Sequence, residues 1–334
     1  MAVLRRVSPP KQKRNDWLVA HSYNVTSQSG EDGIIHKIFE TLPIRQRANA
    51  DRTHHSEEKQ SDTARYWCVE FGAWDGKHLS NTWALLNDAP TSTDSVHCCD
   101  SSSPVCDNKS AGCSSDSRSS STFCCSNNAH ADASITAAPD DQHRASPSPY
   151  RWGGVLIEAD PQRFQELSAL YRDRSDVHCA QDLVGFEGHQ SLDAVLDRAP
   201  VPLPYDFDLL SIDVDGADYH VWDSLQHYQP RLVVIEFNPT IPNHVVFIQS
   251  RSMSVHQGSS LLAITQLAKK KGYELVSTTT YNAFFVRACD YGLFGIENNS
   301  LEFMHDVPMA TDLFQLYDGT LFISGCKKLL WYCT

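Results

Sequence analysis

Five acidic residues stand at or just past the ends of short apolar runs: Glu70 in VEFGAWDG, Glu158 in VLIEAD, Asp213 and Asp215 in LLSIDVDG, and Glu236 in VVIEFNP. A carboxylate so placed can accept hydrogen bonds from a sugar hydroxyl, pair with an ammonium, take a proton from a nucleophile or ligate a hard cation. Asp213 and Asp215 alternate across one residue, so an extended strand aims both to the same side. Two carboxylates that close repel unless they share a proton or a cation. One is therefore expected to orient an ammonium or the substrate, and the other to serve as general base. Glu236 and Asn238 end the neighbouring run, and His220, on the helix that follows Asp213 and Asp215, is a second proton acceptor. Asp213, Asp215 and Glu236 would also suit Mg2+, although no metal is expected.

The elements that must carry these residues alternate regularly. Short apolar runs (YWCVEFG, GGVLIEAD, VHCAQDLV, DFDLLSIDVDG, RLVVIEFNP) are separated by amphipathic helical stretches such as PQRFQELSALYRD and SLLAITQLAKKKGY. ELVSTTTYNAFFVR reads as two strands closing in a hairpin. The pattern predicts an α/β fold: a doubly wound, Rossmann-like, mostly parallel sheet with a C-terminal antiparallel hairpin strand. Ligands of such sheets bind beyond the carboxyl ends of the strands, at the switch point.

The first strand runs into Gly72-Ala73-Trp74-Asp75-Gly76, two glycines four apart where a tight bend and close backbone approach are needed. With residues 88–150 set aside as an insertion, Glu158 follows Gly76 by 19 positions. That is near the roughly 20-residue offset at which an acid meets a ribose hydroxyl in nucleotide-binding sheets. A dinucleotide loop would carry a close second glycine for pyrophosphate; here Trp74 stands in its place and Asp75 adds negative charge. Glu70 and Asp75 thus favour a cationic or neutral ligand such as S-adenosylmethionine.

Four segments, VEFGAWDG, VLIEADP, LLSIDVDGADYHVW and VVIEFNP, resemble the FkbM-type S-adenosylmethionine-dependent methyltransferases in divergent form. The resemblance runs from about Ser27 to Arg287, with Asp215 where the family more often has Glu. It implies the class I methyltransferase sheet of seven strands and methyl transfer, commonly to oxygen, with a small-molecule or glycan acceptor. On that reading Glu70, Gly72, Ala73, Trp74, Gly76 and Glu158 hold the cofactor, and Asp182, just past the third strand, takes the adenine amino group. An enzyme using NAD or a nucleotide sugar on the same rim, or a non-catalytic S-adenosylmethionine binder, are the rival readings.

Beyond the fifth run, a long connection over the carboxyl edge offers Gln257 and Ser259 as substrate wall, while Ser260 is equally a helix cap. SQSGEDGIIHKIFE is a cap and amphipathic helix whose Ser27, Gln28 and Asp32 are placed to close over the cofactor or merely to dock the helix. Trp222 is expected in the core.

The 334 residues are expected to form a basic tail (1–26) and one domain (27–334), broken by a polar loop (48–64) and by the Ser/Cys-rich stretch 88–150. That stretch is too poor in apolar residues to offset its ordering entropy, so disorder is expected. Six of the 11 cysteines lie in it at spacings unlike the common paired zinc arrangement. The rest sit in apolar runs, which fits a reducing compartment without a disulfide framework. The net charge of -13 argues against a nucleic-acid partner. No run reaches the roughly 20 apolar residues of a membrane span, and no secretory leader is recognised. A cytoplasmic location is expected, with organelle targeting by the basic N-terminus as the alternative; any protein partner of the insertion is unknown.

Overall fold

A computed structural model describes residues 17–44, 65–87, 150–306 and 312–324. The expected loop 48–64 lies outside these residues, as does the expected insertion apart from Tyr150.

Seven strands form one sheet: β1 (Arg65–Phe71), β2 (Arg151–Glu158), β3 (Val177–Gln181), β4 (Leu209–Ile212), β5 (Leu232–Glu236), β6 (Tyr273–Thr278) and β7 (Asn282–Arg287). Their order is β3-β2-β1-β4-β5-β7-β6, and every pair among the first five strands is parallel. β7 runs antiparallel to both β5 and β6, which makes the terminal hairpin, with a register shift between Leu275 and Ser277. This is the α/β, doubly wound, Rossmann-like, mostly parallel sheet with a C-terminal antiparallel hairpin that the alternation predicts. The chain reverses its strand order between β1 and β4, so the switch point lies at their carboxyl ends. A separate hairpin, β8 (Asp312–Gln315) with β9 (Leu321–Ser324), has no counterpart in the sequence reading.

The central strands are hydrophobic along their whole length because both faces are covered; Leu209, Leu210 and Leu232 through Ile235 are fully buried. The helices are α1 (Glu31–Thr41), α2 (Trp83–Asn87), α3 (Pro161–Leu170), α4 (Leu192–Asp197), α5 (Asp218–Ser224), α6 (Leu261–Lys270) and α7 (Leu301–Met304). Their starts follow the sequence. Asp160 caps α3 through Gln162 N and Arg163 N with Pro161 at the first position, and Ser191 and Ser260 cap α4 and α6. Trp222, fully buried, packs on Tyr273 and Phe285 as a core residue. At the opposite end of the sheet Asp208 accepts Trp67 N and pairs with Arg231, which also donates to Pro43 O. That buried pair ties β1, β4 and β5 to the end of α1.

The chain joins the domain earlier than the expected boundary at residue 27. Leu18 is buried in the core, and Thr26 Oγ1 donates to Ser80 O. A 3-10 turn at Val19–His21 packs so tightly that a Cβ on Gly33 would lie 2.0 Å from His21 O. No helix among the described residues is long and apolar enough to cross a membrane.

Candidate active site

The loop after β1 is built from left-handed residues. Gly72 has φ +70° and Gly76 φ +81°, with Trp74 (φ 52°) and Leu79 (φ 56°) as non-glycine members. Gly72 is required because a Cβ there would stand 2.1 Å from the carbonyl oxygen of Asp213. The β1 and β4 loops therefore touch backbone to backbone. A Cβ on Gly76 would strike Leu167 and Tyr171, so this glycine seats the bend on α3. Close approach is needed at both positions, as the spacing predicts, but the approaching group is protein. The Trp74 ring does not fill the bend; it is partly exposed and lies under the Arg163 guanidinium at 4.3 Å.

Glu70 is not free to meet a ligand, contrary to its assignment as a cofactor residue. Its carboxylate accepts Ser80 Oγ (2.6 Å), Asn81 N (2.8 Å) and Thr82 Oγ1 (2.7 Å), and it is buried. Burial outweighs these donors and carries its pKa above the usual value. Ser80 Oγ in turn accepts Thr82 N and Trp83 N, capping α2. Asp75 also serves its own loop, its Oδ1 accepting Lys77 N and His78 N, while Oδ2 takes part in neither bond. Of the pair expected to favour a cationic ligand, Glu70 is therefore the one buried among its own donors. Ser80→Ala removes one donor to Glu70 and the cap acceptor together, and is expected to cost about 1–3 kcal/mol in urea unfolding.

Glu158 keeps its place at the tip of β2. Oε2 accepts Trp74 N (2.7 Å) and Oε1 accepts Asp160 N (2.8 Å). An ionised carboxylate has about four lone-pair sites, so each oxygen retains one. Register pairs Glu70 with Leu156, two residues before Glu158. The two acids thus share a face, with Cα atoms about 8 Å apart from strand spacing and rise. The same register pairs Glu70 with Ser211 and Ser211 with Val234. Alternation then brings Asp213 and Glu236 to that face as well.

Asp213, Asp215 and Glu236 gather with carboxylate oxygens within 4.8 Å of one another. The local geometry differs from the extended strand expected there. β4 ends at Ile212, and the chain turns left-handed at Asp215 (φ 54°) before Gly216 (φ 137°). The turn is held by Asp218, a buried carboxylate that the sequence reading passed over, which accepts Val214 N and Gly216 N at 2.9 Å each. Burial raises the Asp218 pKa to about 6 against these donors. Asp213 keeps solvent exposure, yet crowding by surrounding atoms is the first cause of its strong upward shift, followed by Asp218, Asp215 and Glu70. Glu236 is raised by burial, then by Asp213, Asp218 and Asp215. Such a group can share protons, accept one from a hydroxyl, face a cationic ligand or ligate a hard cation.

The remaining candidates are engaged elsewhere. His220 is buried, with Nε2 2.8 Å from Gln249 O and its ring against Phe186 and Tyr219. Facing a carbonyl, that nitrogen carries the proton and donates, so His220 is a packing residue. Asn238 is buried, donating to Gln257 O and accepting Thr240 N and Oγ1. Ser259 Oγ accepts Gln249 N, and Gln249 Oε1 accepts Gln257 N and Gly258 N. These bonds brace the long connection from within; of the two expected wall residues Gln257 is exposed and Ser259 buried. Asp182 pairs with Arg198 at 2.5 Å on the surface. Asp32 Oδ2 accepts Val25 N, Thr26 N, Ser27 N and Ser27 Oγ, so it and Ser27 brace their own loop, while Gln28 is exposed.

No family model and no curated protein matches the chain. Among solved structures it is similar to the CurJ carbon methyltransferase (8% identity, 69% of this chain and 50% of that one, TM-score 0.33). It is also similar to the CMeT domain of the citrinin polyketide synthase (7%, 77% and 51%, TM-score 0.36). A third is the trans-methyltransferase CalH in complex with SAH (12%, 67% and 51%, TM-score 0.34). The chain spans about half the length of these proteins. At such scores the likenesses carry no argument, and the fold rests on the strand order itself.

Proposed function

We propose that the chain is an S-adenosylmethionine-dependent methyltransferase, a divergent relative of the FkbM type, acting on a hydroxyl of a small-molecule or glycan acceptor. The observation that carries this reading is Glu158 at the tip of β2, lone pairs to spare, beside a left-handed bend at the β1/β4 switch point. Such a carboxylate fits a ribose diol, and the bend is not filled by its own tryptophan. The acids Asp213, Asp215 and Glu236 stand on the same edge, where negative charge favours a sulfonium and an ammonium.

When bound, the cofactor supplies a methyl group already activated by positive sulfur. The protein then has to align the acceptor oxygen with that methyl and remove the hydroxyl proton as the new O–C bond forms. Asp213 and Glu236 are the groups assigned to receive it, because their raised pKa values make them competent bases. Asp215 and Asp218 position Asp213, the first through its turn and the second through the amides it holds. Gln257 is the assigned acceptor contact. Asp182 reaches adenine only by sharing its carboxylate with Arg198. No metal is invoked.

Isothermal titration calorimetry with S-adenosylmethionine and S-adenosylhomocysteine tests the reading. Binding of both is expected, and Glu158→Gln should weaken it about 10- to 100-fold, the worth of a charge-assisted bond pair. Binding of NAD or a nucleotide sugar instead would overturn the proposal. Binding without methyl transfer to any hydroxyl acceptor would leave only a cofactor-binding protein.

A further inference from the structure

Glu158 belongs to a closed ring of contacts that reaches beyond its own hydrogen bonds. Its Oε2 accepts Trp74 N at 2.7 Å and its Oε1 accepts Asp160 N at 2.8 Å. Asp160 Oδ1 in turn accepts Arg163 N at 2.9 Å as the cap of α3. The ring closes where the Arg163 guanidinium lies over the Trp74 indole, 4.3 Å from its centroid. The circuit thus runs from the β1 loop to the tip of β2, through the start of α3 and back to the β1 loop. A backbone bond of 3.2 Å from Ala73 N to Ile157 O ties the β1 loop to β2 one residue earlier on each.

Trp74 holds its place against a local preference. Its φ of 52° is left-handed, a region where a bulky residue is an outlier. Glycine takes that conformation freely, and does so at positions 72 and 76 of the same loop. The indole is therefore kept there by what it touches. It is 43% exposed, so burial in the core is not what holds it. Its close ring contact is the Arg163 guanidinium, with the His78 imidazole tilted towards it at 5.8 Å. The guanidinium is itself steadied along α3, where Nη1 donates to Glu166 Oε2 at 3.2 Å. Arginine suits this duty because its plane stacks on an aromatic face while its N–H groups keep other partners.

We propose that the Arg163–Trp74 stack is a positioning device for Glu158. It locks Trp74 in its left-handed conformation, so that the Trp74 N–H pins one carboxylate oxygen and the remaining lone pairs stay set for a ribose diol. Arg163 acts through Trp74 and Glu158 and is assigned no contact with the cofactor. The inference rests on the reading of Glu158 as the ribose-binding carboxylate.

The test is calorimetry on the full chain with S-adenosylhomocysteine and with its 2′,3′-dideoxyribose analogue, which offers Glu158 no diol. Arg163→Ala should bind S-adenosylhomocysteine about 3- to 5-fold more weakly, the worth of an exposed cation–π contact. The analogue should bind the wild type and Arg163→Ala equally, because the placement of Glu158 no longer matters to it. Arg163→Lys, which keeps a cation for the ring, should recover most of the lost affinity. On a Glu158→Ala background Arg163→Ala should add no further loss, since residues acting through one bond are not additive. Undiminished S-adenosylhomocysteine affinity in Arg163→Ala overturns the proposal. So does an equal loss for both ligands, which marks a general loosening of the domain. A wild type that binds no S-adenosylhomocysteine overturns the methyltransferase reading itself, before any variant is made. If Arg163→Ala fails to fold by circular dichroism, Trp74→Gly carries the same comparison, removing the ring at a φ that glycine accepts.

Discussion

Gly72→Ala should lower the stability of the domain by about 3 kcal/mol or more and abolish cofactor binding. Two costs add. The left-handed φ of +70° disfavours any L side chain by about 1–2 kcal/mol. The new Cβ also falls 2.1 Å from the Asp213 carbonyl oxygen, which is backbone and cannot swing aside. Overpacking of that kind costs about 1–3 kcal/mol and is relieved only by separating the β1 and β4 loops, which carries Asp213 away from Glu236. Gly188→Ala is the control, with a φ of +58° and no atom within 4 Å of the added carbon. It should cost only the conformational part, about 1 kcal/mol. Urea unfolding of the two variants, with S-adenosylhomocysteine calorimetry on each, makes the comparison. Equal losses would mean that the loop contact is not tight.

That contact shows what a sequence can and cannot disclose. The strands, their alternation with helices and the terminal hairpin were legible because periodicity in Leu209–Ile212, Leu232–Glu236 or α6 reflects burial that the sheet order then requires. The bend at Gly72 and Gly76 was legible for the same kind of reason, since two glycines four apart at a strand end mark a tight turn with close backbone approach. What each glycine touches was not, because Asp213 O and Leu167 are long-range neighbours. The acids illustrate the limit more sharply. Glu70, Asp75, Glu158 and Asp213 look alike in the sequence, yet Glu70 is buried under three nearby donors, Asp75 bonds within its own loop, and Glu158 keeps one lone pair on each oxygen. The Ser80 cap preceding WALL was a readable hint that Glu70 has local business, and Asp218, two residues past Gly216, was a similar hint for the Asp215 turn. The N-terminal segment 17–26 carries too little periodicity to announce its packing, and the β8–β9 hairpin follows a stretch where no alternation was read.

Asp213→Asn is expected to reduce methyl transfer about 10²- to 10⁴-fold, the usual worth of a positioned general base, while making the protein more stable at pH 8. The two effects share one cause. Asp213, Glu236 and Asp218 all have folded-state pKa values above the ordinary carboxylate range, so the folded protein binds more protons than the unfolded chain. Stability therefore falls as pH rises from about 4, where unfolded carboxylates ionise, through about 6 for Asp218, with the raised Asp213 and Glu236 adding to the fall. Activity runs the other way, rising as the base loses its proton. Removing the Asp213 charge relieves repulsion with Asp215 and Glu236, a gain that solvent access to the cleft limits to about 1 kcal/mol. Melting curves from pH 4 to 8 should show a shallower pH slope for the variant, with the difference vanishing at the acid end. Activity of the wild type should survive exhaustive chelation, because a shared proton, rather than a cation, is assigned to hold these acids together. Restoration by Mg2+ of activity lost on chelation would reassign the three carboxylates as ligands. An unchanged kcat in Asp213→Asn would pass the base to Glu236, where Glu236→Gln repeats the test on a second acid of the group with a raised pKa.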